Sequence, residues 1–179
     1  CDRRQRQMCI RDRVNDVFSE LAAKTAADTQ EIAEALTKTA SIANSAGMSL
    51  ETTSAFLTQM IETTREAPEN LGTAMKTIIA RFQELKKAPD EIGLIDGEIV
   101  DANKIETALR TVGITLRDEV TGQFRELDSV FIELAGKWDT LDKNTQRYIA
   151  TTAAGSRQQS RFIAMMDNYE SCLLYTSDA

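Results

Sequence analysis

The sequence predicts a mainly α-helical protein: a compact bundle of several amphipathic helices and helical hairpins with one small β-hairpin insertion. Three observations support this fold class. The 179 residues include only two prolines, so long stretches lack the residue that breaks helices. Apolar residues recur at helical spacing through most of the chain. Glycine, proline or a capping residue separates the periodic stretches, which predicts short connections.

The first part of the chain predicts three successive helices. The first covers residues 14–24. The second begins near Asp28, whose side chain can cap it, and ends at Gly47, where glycine tolerates a left-handed conformation. Ser49 is predicted to cap the third. The apolar stripes of the three helices are Val14, Val17, Phe18 and Leu21; Ile32, Leu36, Ile42, Ala43 and Ala46; and Leu50, Phe56, Leu57, Met60 and Ile61.

A fourth helix is predicted after the break at Pro68, because the residue before a proline avoids the helical region. Lys86 and Lys87 lie in its predicted last turn, where the helix dipole favours cations, and Pro89 follows. Its apolar residues recur at i, i+4, i+7, i+8, i+11 and i+14 and are Leu71, Met75, Ile78, Ile79, Phe82 and Leu85.

The middle of the chain predicts the β structure. Residues 90–102 contain Gly93 and Gly97 around a turn signal and predict a loop or a small β excursion. A short helix capped by Asn103 follows, with Gly113 beyond its end. Residues 114–117 and 123–125 then flank a glycine-containing connection, which predicts a β-hairpin. Such a hairpin is marginal alone and must pack against helices.

The last part of the chain, residues 137–170, predicts a tight helical hairpin that closes the domain. A helix over residues 128–138 leads into it and places Trp138, the only tryptophan, in the core. Two helices follow, separated at Gly155 and Ser156, and Ser156 is predicted to cap the second. Their inward residues are predicted to be Tyr148, Ile149, Ala150, Ala153 and Ala154, and Phe162, Ile163 and Met166.

Composition argues against several classes of function. The chain has no histidine, and Cys1, Cys9 and Cys172 all lie in its end segments. The usual nucleophile–base pairs are therefore missing, and we predict no catalytic, cofactor-binding or metal-binding residue. A net charge of −7 argues against binding of duplex nucleic acid, which requires clustered basic side chains. No apolar run approaches the roughly 18 residues of a membrane-spanning helix.

Four weaker patterns have structural interpretations. Ser156 is not in a nucleophile-elbow motif. The acidic residues around Gly97 do not follow the EF-hand pattern, so a solvated loop is predicted there. Glu31 and Glu34 are predicted to lie on an exposed helix face rather than to form a catalytic pair. Arg157 and Arg161 lie one helical turn apart and could bind an acidic group or a partner; ordinary surface pairing is favoured.

Both ends of the sequence are predicted to be non-native. Residues 8–13 (M-C-I-R-D-R) and 173–179 (L-L-Y-T-S-D-A) resemble translated sequencing-adapter read-through at the ends of metagenomic reading frames. We therefore interpret residues 1–13 and 171–179 as adapter-derived and residues 14–170 as a helical module from a longer protein. The alternative is a natural chain with frayed termini.

Five short elements occur in a specific order along residues 14–170. They are A-G-M-S-L-E at 46–51, L-G-T-A-M-K-T-I at 71–78, L-A-G-K-W-D-T-L at 134–141, A-A-G-S-R-Q at 153–158 and M-D-N-Y-E at 166–170. Each element alone is weak, but the ordered set resembles the amino-terminal region of phage tail tape measure proteins of long-tailed phages and prophages. Ser156 departs from the family pattern, in which lysine or threonine is common at that place.

The resemblance implies a structural and assembly role: a fragment of the tape measure protein, which sets tail length and templates assembly of the tail tube. It implies tail tube protein and tail assembly chaperones as partners, a homo-oligomer in the tail, and no enzymatic activity. It also implies a location in the tail tube lumen of the virion, and in the host cytoplasm during assembly. Any contact with the host membrane would involve other parts of the chain. Two alternatives remain: a cell-wall hydrolase-associated module of the same long chain, and a non-phage helical adaptor.

Overall fold

The computed structural model describes the backbone of residues 3–84, 93–95, 98–100, 102–118 and 120–167, and the side chains of residues 12–83, 104–118 and 120–167. Predictions for Leu85, Lys86, Lys87, Pro89 and the three cysteine side chains lie outside these residues. The elements are α1 Arg3–Lys24, α2 Thr29–Ser45, α3 Leu50–Thr64, α4 Pro68–Glu84, β1 Gly93–Ile95, β2 Glu98–Val100, α5 Ala102–Thr111, α6 Leu127–Trp138, α7 Lys143–Ala154 and α8 Gln159–Met166.

The predicted limits of α2 and the predicted start of α3 are confirmed, whereas α1 begins at Arg3 and not at residue 14. Asp28 is the N-cap of α2, and its backbone N–H donates to Glu31 Oε2 at 3.0 Å. Gly47 follows that helix with a φ of +78°. The Oγ of Ser49 caps α3 by accepting a hydrogen bond from the backbone N–H of Thr52 at 3.1 Å. These hydrogen bonds determine where α2 and α3 begin, because they satisfy backbone N–H groups that have no partner within the helix.

Helix α3 is the central helix of the fold, since every residue from 52 to 61 is buried. Half of these ten residues are polar, so the helix is not simply apolar on all sides. Thr53 and Thr58 donate to the carbonyls four residues earlier, at 2.7 and 2.8 Å. Such bonds let hydroxyls enter a core at little cost. Ser54 Oγ is the one buried side-chain oxygen or nitrogen without a partner among the described residues.

Helices α2 and α4 cross at very short range. A Cβ added at Gly72 would lie 2.3 Å from the carbonyl oxygen of Ala35. Thr39, which is fully buried, donates from Oγ1 to the carbonyl of Gly72 at 2.9 Å. Glycine is therefore required at position 72, because any side chain would force the two backbones apart.

Five aromatic rings join the other side of the core. The ring of Phe131 packs edge-to-face against those of Phe56, Phe82 and Phe162, with centroid distances of 5.8, 5.0 and 6.4 Å. The Trp138 indole packs edge-to-face against Phe162 at 5.9 Å. Helices α3, α4, α6 and α8 each contribute to this cluster, so it ties the C-terminal helices to the first half of the chain.

The β-hairpin predicted over residues 114–125 is wrong. Only an isolated bridge between Arg117 and Phe124 forms there. Two backbone hydrogen bonds join the segments, from the N–H of Asp118 to the carbonyl of Gln123 at 2.8 Å and from the N–H of Arg125 to the carbonyl of Leu116 at 2.9 Å. The carbonyl of Thr115 accepts from the Arg125 guanidinium at 3.0 Å. The backbone N–H of Ile114 is likewise bonded to the last turn of α5, at 3.0 Å. Pairing is thus limited to this one bridge, and a side-chain and a helix-end hydrogen bond hold Thr115 and Ile114 before it.

The short strands β1 and β2 lie elsewhere, in the segment predicted to be a loop or a small β excursion. They pair antiparallel, with Leu94 opposite Ile99. Each strand has only three residues. The fold is therefore a helical bundle, to which this pairing adds little.

Two further predictions in the C-terminal hairpin are wrong. Tyr148 was expected on the inward face of α7, but its side chain is 52% exposed. The buried stripe of α7 is narrow and follows Ile149, Ala150 and Ala153. Ser156 does not cap α8, because the chain makes a turn over residues 156–158 and the helix begins after Gln158.

Candidate interaction surface

Helix α7 is positioned by a cap at its start. Oδ2 of Asp142 accepts hydrogen bonds from the backbone N–H groups of Asn144 and Thr145, at 3.0 and 3.1 Å. The Thr145 hydroxyl donates to Oδ1 of the same carboxylate. The hydrogen bond from the Thr145 hydroxyl, together with those from the backbone, holds the pKa of Asp142 below its ordinary value. The carboxylate therefore stays charged and holds the helix start in place.

The inner face of α7 packs around Trp138, which is fully buried as predicted. Its Nε1 donates to Oδ1 of Asp167 at 2.9 Å, and its carbonyl accepts from Nε2 of the buried Gln146 at 2.7 Å. The indole N–H and the carbonyl of Trp138 thus have partners inside the fold. A residue with no exposed surface cannot contact another protein directly, so Trp138 is structural.

Two arginines connect the C-terminal hairpin to the first half of the chain. Arg161 on α8 donates from Nε to Oε2 of Glu66 at 3.0 Å. This is the ordinary surface ion pair that the sequence favours for Arg161. Arg81 on α4 is only 4% exposed and donates from Nε to the carbonyl of Ala153 at 3.2 Å. This carbonyl lies at the C-terminal end of α7, where the helix dipole favours a cation.

The outer face of α7 is cationic. Lys143, Arg147 and Tyr148 are exposed. Lys143 and Arg147, at i and i+4, are neighbours on the helix surface, and Tyr148 follows Arg147 about 100° further round the helix. None of the three side chains makes a hydrogen bond or an ion pair in the part of the chain that the structure describes. Arg157 is exposed in the turn that follows. We call Lys143, Arg147 and Tyr148 the cationic face.

The sequence around the cationic face contrasts with the rest of the molecule. Residues 143–166 contain four basic side chains and no acidic one, although the whole chain has a net charge of −7. Tyr148 and Val120 are the exposed large hydrophobic residues among those described. Sequence reasoning considered only Arg157 and Arg161 and missed Lys143 and Arg147. The lack of acids over residues 143–166 was a signal that could have found them.

A shallow groove of about 180 Å³ lies between α2 and α3. Its lining has no titratable side chain, so it contains no group that could act as a general acid or base. The lining residues are Leu36, Ala40, Ala43, Asn44, Met48, Ser49, Leu50 and Thr53.

Glu31 and Glu34 make hydrogen bonds within the fold, and the acidic side chains around Gly97 lie outside the described residues. Glu31 accepts the hydrogen bond at the start of α2, and Oε1 of Glu34 accepts from Gln30 at 2.9 Å. Within the described residues, no three side chains of His, Cys, Asp or Glu lie close enough to hold a metal ion. No helix in the described ranges is long and apolar enough to span a membrane.

A comparison with protein families identifies the chain. Residues 8–155 match the family described as phage-related minor tail protein. The matched range contains every element from α2 to α7, with the buried residues through which these helices pack. No solved structure matches the chain at a significant level. Because the family match covers most of the sequence, the chain belongs to the phage-related minor tail protein family, and it is a phage tail protein.

Proposed function

We propose that this chain is part of a tape measure protein, which sets the length of the phage tail and templates assembly of the tail tube. The observation that carries the proposal is the family match over residues 8–155. That range includes, in order, the sequence elements at 46–51, 71–78 and 134–141, through which the chain resembles tape measure proteins.

The residues in these elements support the proposal because each has a role in the fold. Gly47 ends α2 in a left-handed conformation, and Ser49 caps α3. Gly72 permits the close crossing of α2 and α4. Trp138 is the buried residue around which the C-terminal hairpin packs. A set of sequence elements that specifies packing fits a structural module better than a catalytic one.

The proposal extends to location and partners. The full-length protein lies in the tail tube lumen of the virion and, during assembly, in the host cytoplasm. Its partners are tail tube protein and tail assembly chaperones, and several copies associate in the tail. The segment over residues 14–170 is a folded module, and a helical region elsewhere in the reading frame acts as the ruler, because a helix rises about 1.5 Å per residue.

Tail length measured by electron microscopy tests this function. In the phage that carries the gene, in-frame deletions outside residues 8–155 are expected to shorten the tail by about 1.5 Å for each residue removed. A matched control restores the full-length gene from a plasmid and should restore the original length. Tails of unchanged length after several such deletions would contradict the proposal. Peptidoglycan cleavage by the purified chain would instead favour the hydrolase-associated alternative.

A further inference from the structure

The cationic face on α7 is built so that its charged side chains remain accessible. The inner side of the helix is fixed by the buried Ile149, Ala150 and Ala153. Its start is fixed by Asp142 and its end by the Thr151 hydroxyl, which donates to Oε1 of Gln159 at 2.6 Å. The outer side chains are therefore displayed on a rigid helix rather than on a loop. A rigid display lowers the entropic cost of binding.

The composition of the face matches that of interfaces between proteins. Arginine and tyrosine are enriched among the residues that contribute most to binding energy. Here Arg147 and Tyr148 are adjacent in sequence, and Lys143 lies one turn before Arg147. The tyrosine ring supplies apolar area, and the two cations supply charge. The exposed fraction of Tyr148, 52%, leaves about half of the side chain available for contact.

Charge complementarity identifies the partner. We infer that the cationic face binds an acidic protein segment, with carboxylates that pair with Lys143 and Arg147 and an apolar side chain that packs against Tyr148. This inference rests on exposure and charge alone and does not depend on the proposed tape measure function. The charges of Lys143 and Arg147, which have no partner among the described residues, are available to steer and orient such a segment.

Two other classes of partner fit less well. Duplex DNA carries one negative charge per about 1.7 Å, so it favours dense basic clusters, and the net charge of −7 opposes it. A helix that lies on a membrane needs a broad exposed apolar face. In α7 the apolar residues are buried in the core, and only Tyr148 is exposed among its large hydrophobics.

Fluorescence anisotropy with a defined acidic peptide tests the inference. The probe is a fluorescein-labelled helical peptide with alternating glutamate and leucine along one face, titrated with the full chain. Arg147→Glu and Lys143→Glu are each expected to weaken binding about tenfold or more, and Tyr148→Ala about fivefold. Binding should also weaken steeply as salt is raised, because exposed charges are screened.

Matched variants control for unspecific charge and apolar effects. Lys38→Glu and Lys76→Glu change exposed lysines on α2 and α4 by the same charge, and Val120→Ala truncates the other exposed large hydrophobic residue. These variants are expected to bind within about twofold of the unsubstituted chain. A peptide with glutamine in place of every glutamate should not bind. Circular dichroism confirms that all variants retain the helical fold.

Each remaining outcome overturns the inference. Equal effects of Arg147→Glu and Lys38→Glu would show that net charge alone drives binding. Tighter binding of a short DNA duplex or of phosphatidylserine vesicles, lost in Arg147→Glu, would assign the face to phosphate groups. A salt-sensitive dimer in sedimentation velocity that disappears in Arg147→Glu would assign it to a second copy of the chain. An acidic peptide that does not bind at low salt would leave the face as a solvated surface.

Discussion

The two halves of this core are packed in different ways. At the crossing of α2 and α4, the backbones nearly touch, through Ala35, Gly72 and the hydroxyl of Thr39. On the other side, large rings fill the space between helices, with Phe131 and Trp138 as the largest members from α6. The comparison shows two ways to specify a core. A residue without a side chain lets two helix backbones come into contact, or large side chains fill the space between helices. The two kinds should respond differently to substitution.

The largest expected effect is on the aromatic side. Trp138→Ala removes a fully buried side chain and leaves Asp167 and the surrounding rings with a cavity. We expect the free energy of unfolding to fall by about 3–5 kcal/mol. Chemical denaturation followed by circular dichroism measures it. Tyr148→Ala on the same hairpin is the matched control, and it should cost less than about 0.5 kcal/mol because that ring is exposed.

The second effect tests the crossing by adding volume instead of removing it. Gly72→Ala places a Cβ about where Ala35 O now lies, at 2.3 Å, so the two helices must separate. We expect a loss of about 1–3 kcal/mol. Gly136→Ala is the matched control, since a Cβ at that helical position meets nothing within 4 Å. It should stabilise the protein by about 0.5–1 kcal/mol. Equal effects of the two substitutions would contradict the close crossing.

The third effect compares two buried hydroxyl groups. Thr39→Val removes the hydrogen bond to Gly72 O between α2 and α4, and we expect a cost of about 0.5–1.5 kcal/mol. Ser54→Ala removes a hydroxyl that has no partner, so the cost of burying that group disappears. It should be neutral or stabilising. If Ser54→Ala destabilised the protein as much as Thr39→Val, the hydrogen-bond assignment at the crossing would lose its support.

The smallest expected effect is on the pH dependence of the unfolding free energy. It arises on α6, the helix that carries Phe131 and Trp138 of the aromatic cluster. Glu133 on α6 accepts from Arg125 Nη1 at 2.9 Å and from Lys137 Nζ at 3.1 Å. Burial raises the pKa of Glu133, but these two hydrogen bonds outweigh burial and hold the pKa below 4.5. The ionised form thus stabilises the fold above pH 4.5, and this contribution is lost as the pH falls through the lowered pKa.

Glu133→Gln measures this contribution. The variant should lose part of the dependence of unfolding free energy on pH below 4.5, because its side chain no longer titrates. Glu34→Gln, on the exposed face of α2, is the control and should keep that dependence. Identical pH profiles for the unsubstituted chain and Glu133→Gln would show that the Arg125 and Lys137 contacts do not stabilise the fold.

The aromatic side was predictable from the sequence, whereas the crossing was not. The stripe of Val130, Phe131, Leu134 and Trp138 has helical spacing, and all four are buried. At the crossing, the decisive residue is Gly72, which adds nothing to an apolar stripe. Whether the carbonyl of Ala35 lies opposite Gly72 depends on how α2 and α4 pack together. The spacing of residues along one helix does not contain that information.

The errors have the same origin. Alternation predicted strands over residues 114–125, but the pairing is limited to one bridge, and the Arg125 side chain bonds the carbonyl of Thr115, a contact that no local pattern shows. Tyr148 adjoins buried residues in sequence, yet the width of the buried stripe on α7 depends on what packs against it. For the interaction surface, the lack of acids over residues 143–166 is legible in the sequence, whereas exposure of Arg147 and Tyr148 requires the structure.

One measurement tests most directly whether the two sides form one core. Helix α4 belongs to both, since it carries Gly72 at the crossing and Phe82 in the aromatic cluster. Trp138 fluorescence reports the aromatic side alone, and far-ultraviolet circular dichroism reports all helices. In urea, Gly72→Ala should lower the midpoints of both signals equally, as in a two-state transition. A lowered midpoint by circular dichroism with an unchanged fluorescence midpoint would contradict a single cooperative core.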